Sequence, residues 1–198
     1  MGGGDPPRPS GTQTNQDVRE RMSTLVIHPD YRAPLAAAGL DSFDALWQAA
    51  EGEAVDGHAS RSVTRIDLPL PEGDRFGIYV KRQWGPDAER RWADLFRCRW
   101  PILPARREWR NLHRLKAAGI PVSPPVAWGW SVDGGSRSLI AVREVPGPSL
   151  AAWLYETTTA RPPHRLRRAV AQAVGRAVAS LHASGFSMPD LYAKHLYL

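Results

Sequence analysis

The sequence predicts an α+β chain: a small antiparallel sheet with one helix inserted, a connecting segment, and then helices. Three observations carry that expectation. Alternating apolar residues occur in two pairs, at 62–68 with 76–82 and at 126–132 with 138–145, each pair joined by a turn rich in proline or glycine. A helical pattern that starts near Ala105 and stops at Gly119 stands between the pairs. The longest helical pattern comes after both: Leu166, Ala169, Val170, Ala173, Val174, Ala177, Val178 and Leu181 recur at i, i+3, i+4 and i+7.

Bulk composition narrows the class. The 198 residues fit one domain, or one full lobe plus part of another, and eight tryptophans give a core large apolar surfaces to bury. The net charge of +6 comes almost wholly from arginine, since lysine occurs only at Lys81, Lys116 and Lys194. Such a surface suits nucleic acid, an anionic membrane face or a phosphorylated substrate, and charge alone does not choose among them. Cys98 stands alone, which excludes an intrachain disulfide and a CxxC zinc framework. The histidines show no HxxxH or HExxH spacing. No apolar run reaches the length of a spanning helix, no signal peptide opens the chain, and Pro6 spoils a myristoylation pattern. The expectation is a cytoplasmic protein, or one peripheral at the cytoplasmic face of an inner membrane.

Each element has a local cause. Residues 1–21 are Gly, Pro, Ser, Thr, Asn and Gln with little to bury, and read as a disordered segment; Met22 is a second candidate start. Leu35, Leu40, Phe43, Leu46 and Trp47 suggest two short helices, the second capped by Asp41 or Ser42. Residues 62–68, the turn Pro69–Asp74 and the run Phe76–Arg82 form a hairpin. Pro86 and Asp87 open a helix through Trp92, Leu95 and Phe96, which Pro101 and Pro104 end. Trp128 and Trp130 flank Gly129 on a strand and read as sheet packing. Ser149 caps a helix with Leu150, Trp153 and Leu154, and the long helix then runs into Gly185. The expected organisation is a sheet-containing lobe over 22–145, then a connection and the start of a helical lobe over 146–198.

Three residues stand in the order that phosphoryl transfer uses. Lys81 lies on a strand, where a rigidly held cation can neutralise nucleotide phosphates. Glu108 follows on a helix, suited to hold that lysine by an ion pair. Asp190 comes in a short loop after the long helix, with an apolar run soon after it, the layout of a catalytic loop whose aspartate meets an acceptor hydroxyl.

The passages Gly77-Ile78-Tyr79-Val80-Lys81-Arg82, Glu108-Trp109-Arg110-Asn111-Leu112 through Pro125-Val126-Ala127, Arg143-Glu144-Val145, and Leu181 to Leu196 resemble the lipopolysaccharide core kinases, the Kdo/heptose kinase branch of the protein-kinase-like fold. The resemblance implies ATP-dependent, Mg²⁺-assisted phosphorylation of a sugar hydroxyl in the lipopolysaccharide core. It implies Asp190 as the catalytic carboxylate, Lys81 and Glu108 as the phosphate-binding pair, and Glu144 and Val145 as hinge residues for the adenine edge. His195 stands where protein kinases place a metal-binding asparagine, and as a nitrogen ligand it would act on magnesium through a water.

This sequence departs from the kinase pattern at four places. Met188-Pro189 replaces the His-Arg pair that usually braces the catalytic loop. The region from Gly52 to Ser62 has no GxGxxG, so phosphate contact there falls to Arg61 or to backbone amides. Tyr79 occupies a strand position that is usually small. Only eight residues follow Asp190, short of a second metal-binding aspartate, so the chain reads as a truncated kinase-like unit with little catalysis of its own. A non-catalytic, pseudokinase-like binding module is therefore the alternative, and an aminoglycoside-type kinase is a neighbouring enzyme reading. Nucleic-acid binding rests on arginine content alone, with no interleaved aromatic–basic motif behind it.

Overall fold

The computed structural model describes residues 23–50, 60–69, 74–84, 103–131, 137–159, 162–188 and 191–198, with the backbone alone at 56–58 and 157–159. The helix expected from Pro86, the turn at 133–135, and Pro189 with Asp190 lie outside the described residues. Among the described residues six strands form one sheet: β1 (Ser23–Ile27), β2 (Asp56–His58), β3 (Arg61–Pro69), β4 (Arg75–Trp84), β5 (Pro125–Ser131) and β6 (Arg137–Arg143). Their order across the sheet is β1-β5-β6-β4-β3-β2. Among the described residues five α-helices accompany them: α1 (Arg32–Ala37), α2 (Phe43–Ala49), α3 (Pro104–Ala117), α4 (Leu150–Thr159) and α5 (His164–Ala183). The described residues divide into two compact units, one comprising those before 110 with 125–142, the other comprising 110–124 with 143–198.

In the first unit the central hairpin forms where alternation predicts it, antiparallel from Arg61↔Gln83 to Pro69↔Arg75. Directly opposed residues share a sheet face. Ser62, Thr64, Leu68, Ile78, Val80 and Arg82 are buried on one face, while Arg61, Val63, Lys81 and Gln83 are more accessible on the other. Leu35, Phe43, Leu46 and Trp47 from α1 and α2 cluster with Leu68, Ile78, Val80, Leu139 and Ala141 to make the core. Ser42 starts α2 by accepting the Ala45 N–H at 3.2 Å, which decides between the two expected caps.

Arg82 is the unusual core residue, 8% exposed. Its Nε–H donates to Ser62 Oγ at 3.1 Å and Nη1 donates to the Trp47 carbonyl at 3.2 Å. The guanidinium lies 5.1 Å from the Trp47 ring centre and 5.7 Å from that of Trp84. Hydrogen bonds plus two aromatic faces compensate a charge that would otherwise be expensive to bury.

Two strands were not expected. β1 pairs antiparallel with β5 from Ser23↔Ser131 to Ile27↔Ala127. β2 pairs antiparallel with β3 from Asp56↔Val63 to His58↔Arg61. Gly129 explains how β1 and α2 approach β5: a Cβ there would sit 2.5 Å from the Thr24 carbonyl oxygen and 2.8 Å from the Phe43 ring.

In the second unit, the end of α3 turns over Gly119 (φ +74°), with Ile120 N–H donating to Leu115 O at 3.0 Å. Gly185 (φ +74°) ends α5 the same way, with Phe186 N–H donating to Leu181 O at 3.2 Å, and the Arg114 guanidinium lies over the Phe186 ring at 5.1 Å. The last residues return to the start of α4: Leu150 N–H donates to Leu196 O at 2.7 Å and Leu198 N–H to Pro148 O at 3.2 Å. The apolar stripe of α5, expected to be a core face, is buried only at Leu181, and Leu166 is 46% exposed.

Candidate functional site

The site grows from the accessible face of the hairpin. Val63 opposes Lys81 and Arg61 opposes Gln83, so these four side chains leave the sheet on one side. Helix α3 starts above that side. Ala105, 3% exposed, is buried there, and Glu108 is three residues further on, on the same helical face. Burial of Ala105 thus turns Glu108 toward the strand lysine.

Lys81 Nζ donates to Glu108 Oε1 at 2.6 Å, across 27 positions of sequence. Both side chains are partly exposed, at 29% and 39%, so the pair faces solvent rather than being sealed in the core. Arg61, Lys81, Gln83, Ala105, Glu108 and Ile140 line one recess. Two cations against one carboxylate leave it one positive charge in excess, which fits an anionic group such as a nucleotide's phosphates.

The other expected site residues belong to the second unit. Glu144 and Val145 follow β6 as half-buried residues without regular secondary structure. Just before them, Arg143 N–H donates to Pro124 O at 2.8 Å. His195 lies in an exposed 3₁₀ turn, Ala193–His195, where Nδ1 accepts the Tyr192 N–H at 3.4 Å and the two rings stand 5.9 Å apart. Met188, the last described residue before Pro189 and Asp190, is 43% exposed. Among the described residues no group of three or more His, Cys, Asp or Glu side chains converges as a metal centre. Gln83 was missed in the sequence; its i+2 spacing from Lys81 on a strand is the signal that would have found it.

A small sheet with a strand lysine clasped by the carboxylate of an inserted helix is the small-lobe arrangement of the protein-kinase-like fold. The profile of the lipopolysaccharide kinase (Kdo/WaaP) family matches residues 44–198, and the chain belongs to that family. The lipopolysaccharide core heptose(I) kinase WaaP of Pseudomonas aeruginosa is 31% identical over 167 residues, covering 81% of this chain and 59% of that protein. The WaaP of Escherichia coli strain K12 is 25% identical over 175 residues, covering 85% of this chain and 63% of the relative. A solved structure of WaaP in complex with acyl carrier protein superposes with a TM-score of 0.52 at 28% identity, over 80% of this chain and 56% of that one. The chain thus spans about three-fifths of the length of these relatives.

Proposed function

We propose that this chain carries the nucleotide-binding part of an ATP-dependent phosphotransferase acting on a sugar hydroxyl of the lipopolysaccharide core. The observation that carries the reading is the 2.6 Å bond from Lys81 to Glu108 at the edge of a recess with excess positive charge. Lys81 neutralises nucleotide phosphates, and Glu108 keeps its ammonium from wandering. Asp190 orients or deprotonates the acceptor hydroxyl, and Glu144 and Val145 offer backbone groups to the adenine edge. Magnesium, when bound with the nucleotide, supplies further neutralisation of phosphate charge. The heptose kinase relatives make a heptose the first acceptor to try, and the relative solved with acyl carrier protein makes such a carrier a partner to test by co-purification.

Titration calorimetry tests the reading. Lys81→Ala is expected to weaken ATP binding by roughly 10- to 100-fold, the worth of one charge-assisted hydrogen bond. Equal affinity for the two proteins would end the assignment of Lys81. Met188-Pro189, in place of a loop-bracing His-Arg pair, favours a second reading as a non-catalytic nucleotide-binding module. Tight ATP binding with no magnesium-dependent turnover on core oligosaccharide would select that one.

A further inference from the structure

We infer that Arg61, the first residue of β3, is a phosphate-binding residue of the nucleotide site, supplying through a side chain what a glycine-rich loop supplies through backbone amides. The inference rests on the nucleotide reading of the recess. Four observations lead to it.

First, Arg61 and Lys81 line the same recess, and the register places them diagonally: Arg61 opposes Gln83, two residues beyond Lys81 on β4. Diagonal neighbours of this kind stand roughly 7–8 Å apart, their Cβ atoms somewhat closer, within reach of two long cationic side chains converging on one polyphosphate.

Second, the two cations differ in commitment. Lys81 is bound to Glu108 at 2.6 Å, so part of its charge is already answered inside the protein. The Arg61 guanidinium is engaged by no hydrogen bond or ion pair among the described residues. Arg65, on the same strand, contrasts with it, pairing with Asp67 at 2.9 Å. Arg61 therefore supplies the recess's surplus charge.

Third, the segment before β3 contains Asp56-Gly57-His58-Ala59-Ser60, which has a single glycine. Several backbone N–H groups can wrap a phosphate closely only where glycines allow the approach. A planar guanidinium with five donors binds phosphate oxygens in pairs and needs no such loop.

Fourth, the position is held. The pairs Asp56↔Val63, Gly57↔Ser62 and His58↔Arg61 on one side, and Arg61↔Gln83 on the other, place Arg61 between two strands. The Ser60 carbonyl accepts the Trp84 N–H at 3.0 Å, which fastens the neighbouring residue to β4. The side chain is exposed while its backbone is fixed, a combination suited to a ligand contact.

The test compares Arg61→Ala, Arg61→Lys and Lys81→Ala by ATP calorimetry, with thermal melts of each protein without nucleotide. The expected result is a loss of ATP affinity of about tenfold or more for Arg61→Ala. It should come with an unchanged melting temperature and partial recovery in Arg61→Lys. Wild-type affinity in Arg61→Ala alongside weakened binding in Lys81→Ala would overturn the inference and leave the nucleotide site standing. Wild-type affinity in both variants would overturn the site itself. A loss accompanied by a lowered melting temperature and no recovery with lysine would make Arg61 structural, and would also overturn the inference.

Discussion

Lys81 and Arg82 are consecutive residues with opposite fates, and the pleat of β4 is the reason. Lys81 leaves the sheet toward the recess, where Glu108 meets it; Arg82 leaves toward the core, between Trp47 and Trp84. The two cations therefore fail differently when removed. Arg82→Ala deprives Ser62 Oγ and the Trp47 carbonyl of their donor, and is expected to lower stability by about 2–3 kcal/mol in urea unfolding. Glu108→Gln is expected to leave stability nearly unchanged and to shift ATP affinity by less than about fivefold, the range of a partly exposed ion pair. It loosens Lys81, but it also removes an anion from the phosphate recess. A loss in Glu108→Gln as large as that in Lys81→Ala would mean that Lys81 reaches the phosphates only when Glu108 holds it in place.

Glycines mark where elements meet. Gly129→Ala would drive a methyl into the Thr24 carbonyl and the Phe43 ring, and is expected to cost about 1–3 kcal/mol by weakening the docking of β1 and α2 on β5. Gly175, inside α5, has nothing within 4 Å of an added Cβ, and Gly175→Ala is expected to raise stability by about 0.5–1 kcal/mol. Denaturation curves of the two variants should move in opposite directions. What the sequence disclosed follows from how local each element is. The β3–β4 and β5–β6 hairpins were legible because strict alternation and turn residues sit side by side in the chain. Helix α3 was legible from proline before it and glycine after it. β1 was hidden because its partner β5 lies about a hundred residues away and its five residues adjoin a polar segment. β2, Asp56–His58, has no apolar residue to betray it. The burial of Arg82 was hidden too, since periodicity shows a face but not the aromatic rings waiting there. α5 was legible as a helix but not in its exposure, which depends on what is available to cover it.

At the scale of the molecule, the family assignment rests on the profile match over residues 44–198, a sheet fold shared with a solved WaaP, and an ion pair that the order of residues predicted. The net charge of +6, with basic Arg165, Arg167, Arg168 and Arg176 exposed along α5, adds an expectation of its own. Sedimentation with vesicles of mixed anionic and zwitterionic lipid should occur at low salt and fall sharply at about 0.5 M salt, where the Debye length is only a few ångströms. Binding that ignores salt would exclude charge as its cause. The central claim concerns one amine, and the scarcity of lysine allows it to be read directly. An acyl-phosphate derivative of ATP transfers its acyl group to a nearby amine, forming an amide and releasing ATP, and peptide mass spectrometry distinguishes Lys81 from Lys116 and Lys194. The account predicts acylation concentrated on Lys81 and suppressed by excess ATP. Equal labelling of the three lysines, or labelling of Lys81 that ATP does not suppress, would contradict it.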